Sequence, residues 1–235
     1  MEFIQGQRTE LKYHEMTPLD KAINEYQRKA DEYFKKQLEI DKLPPDIRNK
    51  RQKELDSAKR FLEHQRMNAE SYAQIQAGLD KYREEGKNAT QGPYSEVRKK
   101  QQALIKEAHH PTSVLAKMLI ADGRPKPSSQ HAPHHLAPGI GKTPNSYTLR
   151  VHLHFHGIRI NDPDNGVWLP MYKKFTPHWS MPEAKGHLEY HTKGYEQWLA
   201  RMIMIRTSEH LIRMQLRMVA DLLTRNALPD EARRK

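Results

Sequence analysis

The chain contains no cysteine. Disulfides and thiolate metal centres are therefore excluded, and any metal must be held by His, Asp or Glu. Long apolar runs are also missing. The richest stretch, Trp198 to Ile205, is broken by Arg201 and followed by Arg206, far short of a membrane-spanning segment. A soluble chain with no membrane span is expected. The opening residues, Met1-Glu2-Phe3-Ile4-Gln5-Gly6-Gln7-Arg8, lack a basic segment followed by an apolar one. No signal peptide is expected there, so a chain that leaves its cell would need a dedicated delivery route. Hydrophobic residues are scarce, at 36% against 29% charged. That balance disfavours one thick-cored globule and favours helical hairpins, or a small domain with helical additions, within 235 residues.

What is present is positive charge and histidine. Lys and Arg number 40 against 29 Asp and Glu, a formal net charge of +11. The surplus favours an anionic partner: nucleic acid first, then an acidic protein or an anionic membrane. Basic helices can also simply be soluble, so charge alone does not decide. Of the 14 histidines, ten lie between His131 and His210. In a chain without cysteine this is the strongest pointer to chemistry.

Thr17-Pro18 reads as an N-cap followed by proline at the first helical position, opening a helix to about Asp41. Leu43-Pro44-Pro45 must break it, and a second helix follows from about Asp46 to Glu85. There Leu55, Ala58, Leu62, Gln65, Ala69, Tyr72, Gln76 and Leu79 recur three and four apart, the seam of an antiparallel helical pair or coiled coil. Gly86 to Gly92 reads as a loop, and Tyr94 to Ile120 as helix interrupted near His109-His110-Pro111. That histidine pair reads as a helix end. Asp122 to Gln130 is the clearest linker signal, placing a boundary between a helical region, 1–121, and a histidine-rich region, 131–235.

Hydrolysis of a phosphodiester needs a cation at a phosphate oxygen and a neutral imidazole to take a proton from the attacking water. Three features of the second region bear on this. In His131-Ala132-Pro133-His134-His135-Leu136, adjacent side chains on an extended segment point to opposite sides. One imidazole can face a metal while its neighbour faces water. In Asn161-Asp162-Pro163-Asp164-Asn165-Gly166-Val167-Trp168-Leu169-Pro170, Asn-Gly signals a turn and Val-Trp-Leu a short buried strand. Asn165 would brace the loop carrying the histidine pair. In His187-Leu188-Glu189-Tyr190-His191, histidines four apart share a helical face and can bind one ion together.

In this order the motifs resemble the AHH branch of the HNH/endonuclease VII superfamily, whose members occur as toxin domains of bacterial polymorphic toxins. The resemblance runs from about Gln130 to Met204, through His134-His135-Leu136-Ala137-Pro138, Gly157 to Pro170, and His187-x3-His191-Thr192-x2-Tyr195. The residue before the histidine pair is usually Ala in that family and is Pro133 here, which predicts a distorted strand start without loss of chemistry.

The resemblance implies a mainly α fold with a small β-hairpin: a helical N-terminal region and a C-terminal ββα-metal (HNH-like) nuclease domain with a helical extension. It implies His134, His187 and His191 as ligands of one divalent metal ion (Mg, Mn, Zn or Ni) and His135 as general base. Asn165 would hold His135 or its loop, and Tyr195 would contact phosphate or pack. A non-specific DNase acting as an interbacterial effector would follow, delivered to a target cell and neutralised in the producer by an acidic immunity protein. Residues 1–121 would serve delivery or adaptor binding. An RNase on the same scaffold, or a basic helical interaction protein without activity, would carry the same composition.

Three further stretches are weaker. Gly139-Ile140-Gly141-Lys142-Thr143 looks like the end of a P-loop, but its first glycine would fall at Leu136 and no strong strand precedes it. ATP binding is not expected, although Lys142 could touch a phosphate. Val151 to His156 alternates strictly and fits a strand or a helix; the family favours helix, with its histidines structural or substrate-facing. From Met202 to Leu223 a Met and Leu stripe reads as a packing face. Arg201, Arg206, Arg213, Arg217 and Arg225 lie on its other faces, where they would be solvated or follow a nucleic-acid backbone.

Overall fold

The structure, a computed structural model, describes residues 12–234 and the backbone of Phe3–Ile4 and Gln7–Arg8. The reading of Met1 to Arg8 as lacking a leader lies largely outside those residues. Contacts divide the chain into two units, Met1–Ala77 and Gly78–Lys235.

In the first unit, β1 (Phe3–Ile4) pairs antiparallel with β2 (Gln7–Arg8). Helix α1 (Pro18–Asp41) starts as expected. The Thr17 hydroxyl accepts from Asp20 N at 3.1 Å, and the Asp20 carboxylate accepts from Thr17 N at 3.0 Å. Helix α2 (Pro45–Asn88) follows the proline break and runs on into the second unit. Arg48 closes the α1–α2 turn by donating to Asp41 O at 2.8 Å and Leu43 O at 3.2 Å. Along α2, Leu55, Ala58, Leu62, Gln65 and Ala69 are buried or half-buried, whereas Phe61 and Met67 are exposed.

In the second unit α2 continues through Gly86, where a loop was expected. The reason is packing: a Cβ on Gly86 would stand 2.3 Å from Gly157 O, so glycine there permits close approach rather than a turn. Gly157 itself has φ +75°, the left-handed region that glycine adopts freely. Helices α3 (Tyr94–Ile105) and α4 (Ser113–Ala121) bracket the interruption expected at His109-His110-Pro111. Residues Asp122 to Gln130 lie inside this unit, whereas the composition placed a boundary there. Arg124 donates to Gly166 O at 3.1 Å, and Trp168 Nε1 donates to Arg124 O at 2.9 Å. Proline and polar residues form an irregular path here, but its backbone is anchored.

Strand β3 (His131–His135) pairs antiparallel with β4 (Gly166–Pro170), His134 opposite Val167 and His135 opposite Gly166. Pro133 sits opposite Trp168 in unbroken register, so the expected distortion is absent. A two-stranded sheet has a free edge on each strand, which tolerates a residue without an N–H. Asn165-Gly166 is not a hairpin turn. Asp162 caps a 3-10 turn, Pro163–Asn165, and the intervening chain forms helix α5 (Pro144–Phe155). Val151 to Phe155 are therefore helical.

Helices α6 (Lys193–Met204) and α7 (Glu209–Thr224) complete the unit. Their apolar stripe, with Trp198, Leu199, Ile203, Ile212, Leu216, Val219 and Leu223, packs with Leu136, Leu149, Leu153, Ile158 and Leu169 into one core. Leu115 and Leu119 of α4 close a second, small cluster on Trp168. Two antiparallel strands followed by α6 give the ββα order expected, within a mainly helical chain. Among the described residues no helix is long and apolar enough to cross a membrane.

Candidate active site

Alternation on β3 sends its two histidines to different neighbours. The His134 ring lies 5.0 Å from that of His191 and 6.1 Å from that of His187, centroid to centroid, and His187 and His191 are 5.9 Å apart. The last two are not on an α-helical face. A 3-10 turn carries His187–Tyr190, His191 caps it, and α6 starts only at Lys193. The Thr192 hydroxyl takes the N-cap, accepting from Tyr195 N at 3.1 Å. The tight turn still gathers both rings beside β3.

His135 points to Asn161. His135 Nε2 and Asn161 Oδ1 are 3.0 Å apart, and Asn161 Nδ2 donates to Glu107 Oε1 at 3.1 Å and Ala108 O at 3.0 Å. Two acceptors fix the amide, so its oxygen must face the imidazole. His135 Nε2 therefore carries the proton, and Nδ1 keeps its lone pair. Tyr82 supports the same network: its hydroxyl donates to Glu107 Oε1 at 2.6 Å and accepts from Asn161 N at 3.0 Å.

Asn165 does not touch this ring. Its side chain accepts from Ala137 N at 2.8 Å and donates to Ala137 O at 3.2 Å and Ile160 O at 2.9 Å. It thus clamps the turn just after the histidine pair.

His134, His135, His187 and His191 share one small cleft of about 120 Å³, which His109 and His110 also line. His109 and His110 had read only as a helix end. Their signal lies in the fold: a Cβ on Gly139 would meet the His109 ring at 2.2 Å, so glycine there admits the ring to the site. Asn161 and Glu107 were likewise missed as functional residues, because partners 26 and 54 positions apart leave no local pattern. A larger hollow of about 630 Å³, along Leu119, Trp168, Met181 and Arg217, holds none of these imidazoles. Size does not locate the chemistry.

Burial favours the neutral form of His134, His135 and His191. Burial, and then the neighbouring His191 and His187, holds His134 well below the ordinary histidine value. Burial lowers His135 to about 4; the Asn161 hydrogen bond opposes the shift, and nearby His109, His110 and Arg150 add to it. His191 is lowered by burial, then by His187 and Lys142. Neutral imidazoles offer lone pairs to a cation or a proton.

The donor set fits a divalent ion. His134 Nε2 and His187 Nδ1 are buried with no partner in the chain, an arrangement disfavoured unless a ligand completes it. Three imidazoles binding Zn at about 2.1 Å would hold their centroids roughly 5 Å apart, close to the spacing seen. Among the described residues no three His, Cys, Asp or Glu are already gathered at ligating geometry. Sharing an ion would thus require the rings to draw in slightly.

The other candidates fall at the rim or in the core. Lys142 is exposed, its ammonium on His191 O. The loop around it is not a phosphate cradle, because Lys142 N and Thr143 N both donate to the buried Glu196 carboxylate at 2.8 Å. Tyr195 is 3% exposed and its hydroxyl donates to Leu136 O at 3.2 Å, so it packs and has no surface for a phosphate. His152 of α5 and His156, which caps that helix, have rings 4.6 Å apart, while His154 is buried in the protein. The α6 and α7 arginines are mostly paired. Arg213 and Arg217 hold Asp164, Arg201 meets Glu231, Arg225 meets Asp221, and Arg206 donates to Gln215.

No curated protein and no solved structure matches the chain. Residues 115–224 match the family model described as AHH, a nuclease family of the HNH/ENDO VII superfamily with conserved AHH. The match contains both strands, the His134-His135 pair and the His187–His191 turn. His109, His110, Glu107 and Tyr82 come from outside it. Residues 115–224 are thus similar to the AHH nuclease family of the HNH/ENDO VII superfamily.

Proposed function

We propose that this chain hydrolyses phosphodiester bonds at the histidine cleft, with His135 as general base and His134, His187 and His191 holding one divalent ion. The observation that carries the reading is the oriented His135, its Nε2 fixed on Asn161 Oδ1 at 3.0 Å beside three gathered imidazoles. When bound, the ion supplies positive charge at a phosphate oxygen and at the oxygen that leaves. His135 Nδ1 accepts the proton of the attacking water as its oxygen bonds to phosphorus and the ester oxygen departs with the cleaved strand. Asn161 keeps the ring in this tautomer throughout. Asn165 holds the turn behind the pair, and Lys142 presents a cation at the rim. Imidazole ligands suit Zn or Ni in affinity, while Mg and Mn favour oxygen donors, so all four remain in the proposal.

DNA is the favoured polymer, cut with little sequence preference, because backbone charge rather than base-reading elements dominates this basic chain. The family's toxin context extends the proposal to an interbacterial effector released to a target cell. An acidic immunity protein would be its partner in the producer, with residues 1–121 serving delivery or adaptor binding. Plasmid DNA and a structured RNA offered to one preparation, with and without chelator, test the reading. Metal-restored cleavage of DNA is expected. His135→Ala should lower the rate by about 10²–10⁴-fold while leaving the fold intact. Undiminished cleavage by that variant would remove His135 from the base role.

A further inference from the structure

The segment between β4 and His187 carries an exposed indole that the cleft does not use. Trp179 is 81% exposed, whereas the other two tryptophans, Trp168 and Trp198, are buried. Tryptophan is enriched at interfaces, where one end of the ring is apolar and the other wet.

Its neighbours hold it in place. His178 is buried, its ring 4.4 Å from that of His131 on β3. Ser180 N donates to His178 Nδ1 at 3.2 Å, so His178 Nε2 carries the proton and donates to Ser128 Oγ at 3.3 Å. Ser128 in turn donates to His131 Nδ1 at 3.0 Å and accepts from Gln130 N at 3.1 Å. This chain is saturated at Ser128, which makes it an anchor rather than a nucleophile. The far end is fixed as well, since Gly186 lies against Tyr172 and Lys173 so closely that a Cβ would fall 2.8 Å from Lys173 N.

Beside the indole, whose ring centroid is 5.5 Å from that of His178, lies an open cleft of about 440 Å³, lined by Ser128, Ser129, Gln130, Pro177, His178 and Trp179. Its lining includes the indole and the exposed Gln130, whose side-chain amide makes no hydrogen bond to a described residue. Lys126, Lys173 and Lys174 lie on the segments that form or lead into it. A flat π-face with a free donor and acceptor in the same cleft, in a chain of net charge +11, matches a nucleobase unstacked from its strand. A base inside a duplex could not present its face to the indole.

We propose that this cleft is a nucleobase-binding site for single-stranded nucleic acid, with Trp179 as the stacking platform and Gln130 at the base edge. The inference rests on the nuclease reading for its role. His178 packs on His131, three residues before His134, about 10 Å along β3, so a strand engaged at Trp179 would reach the histidine cleft within a few nucleotides. The site would thus favour single strands, frayed ends or loops as substrate.

The full chain carrying His135→Ala, held in chelator, is titrated with oligo(dT), oligo(rU) and a blunt duplex of equal length while tryptophan fluorescence is followed. Because Trp179 is the exposed tryptophan, stacking should quench the emission on titration with either single strand and leave it largely unchanged with the duplex. Trp179→Ala should weaken single-strand binding about 5- to 100-fold and abolish the quench. Trp179→Phe should retain most of the affinity, and neither substitution of so exposed a residue should shift the melting temperature. Equal single-strand affinity in Trp179→Ala, or no quench by any polymer, would overturn the site. Cleavage by the unsubstituted chain is measured separately. Cleavage without quenching overturns only this cleft, whereas quenching without cleavage overturns the nuclease reading and leaves the cleft standing.

Discussion

Asn161 Oδ1 lies 3.0 Å from His135 Nε2, and the same amide donates to Glu107 Oε1 and Ala108 O. Because Asn161 is buried and its orientation has no freedom, it acts on the proposed base through geometry alone. Asn161→Ala removes the group that fixes the tautomer. Turnover should fall about 10- to 100-fold, with little change in KM for a long DNA, because no substrate contact is lost. The variant also leaves Ala108 O without its donor, a destabilisation of about 1–3 kcal/mol, while Glu107 keeps Tyr82 and Arg159. Single-turnover kinetics below the variant's melting temperature separates the two effects. An unchanged turnover in folded protein would count against the positioning role.

His134, His187 and His191 should bind an ion as a group. Chelator-stripped protein is expected to remain folded, since its core of Leu136, Leu153, Leu199 and Ile212 does not depend on the cleft. Adding Zn or Ni to about 100 times Kd should then stabilise it by about 2.7 kcal/mol, seen as a rise in melting temperature. His187→Ala or His191→Ala should abolish that rise. A full rise in both variants would place the ion elsewhere.

Asp164 is fully buried between α7 and the turn before β4, with Arg213 Nη1 at 2.9 Å and Arg217 Nε at 2.7 Å. Burial alone would push its carboxyl up, but hydrogen bonds and charge from Arg217 and Arg213 outweigh it and hold the group below the ordinary value. A depressed acid contributes stability that is present above the unfolded pKa and is lost as pH falls through the folded one. Urea midpoints should therefore drop below about pH 4, and Asp164→Ala should flatten that drop. At neutral pH Asp164→Ala should cost about 1.5–3 kcal/mol, because Arg213, 14% exposed, loses one partner while keeping Asp162 and Glu209. Arg217 is 62% exposed, so Arg217→Ala should cost much less than Arg213→Ala.

Features of the site with a local signal could be read from the chain. Thr17-Pro18 announced α1, the proline pair ended it, and alternation on a short strand separated His134 from His135. The family motif tied these to the ββα order. Relations across long separations were not legible. Asn165 was expected near His135 because both belong to the motif, yet Asn161, four residues earlier, makes the contact. Only the folded turn at Pro163–Asn165 decides which amide faces the ring. His187 and His191 suggested an α-helical face, but Thr192 is the cap, so the helix begins after them. The arginines of α7 resembled a nucleic-acid stripe because their partners, Asp162 and Asp164, are about 50 residues away. His109 enters the cleft through space left by Gly139, a relation that no periodicity encodes.

His154 offers a test of stability away from the cleft. It is 1% exposed, and neither ring nitrogen has a partner. Burial, then the charges of Arg150 and Arg159, lowers its pKa to about 3, so the folded chain holds it neutral. The unfolded chain takes up a proton near pH 6.5, and folding then excludes it. Stability from this residue is complete above that value and declines as pH falls toward 3, by about 1.4 kcal/mol per unit. His154→Leu retains an apolar side chain of similar size and removes two unsatisfied polar atoms. It should stabilise the protein by about 1–3 kcal/mol at pH 7 and make the urea midpoint less sensitive to pH between 6 and 4. Urea titrations of both chains across that range decide it. A destabilised variant with the parent's pH slope would mean that the imidazole makes a favourable contact in the folded protein.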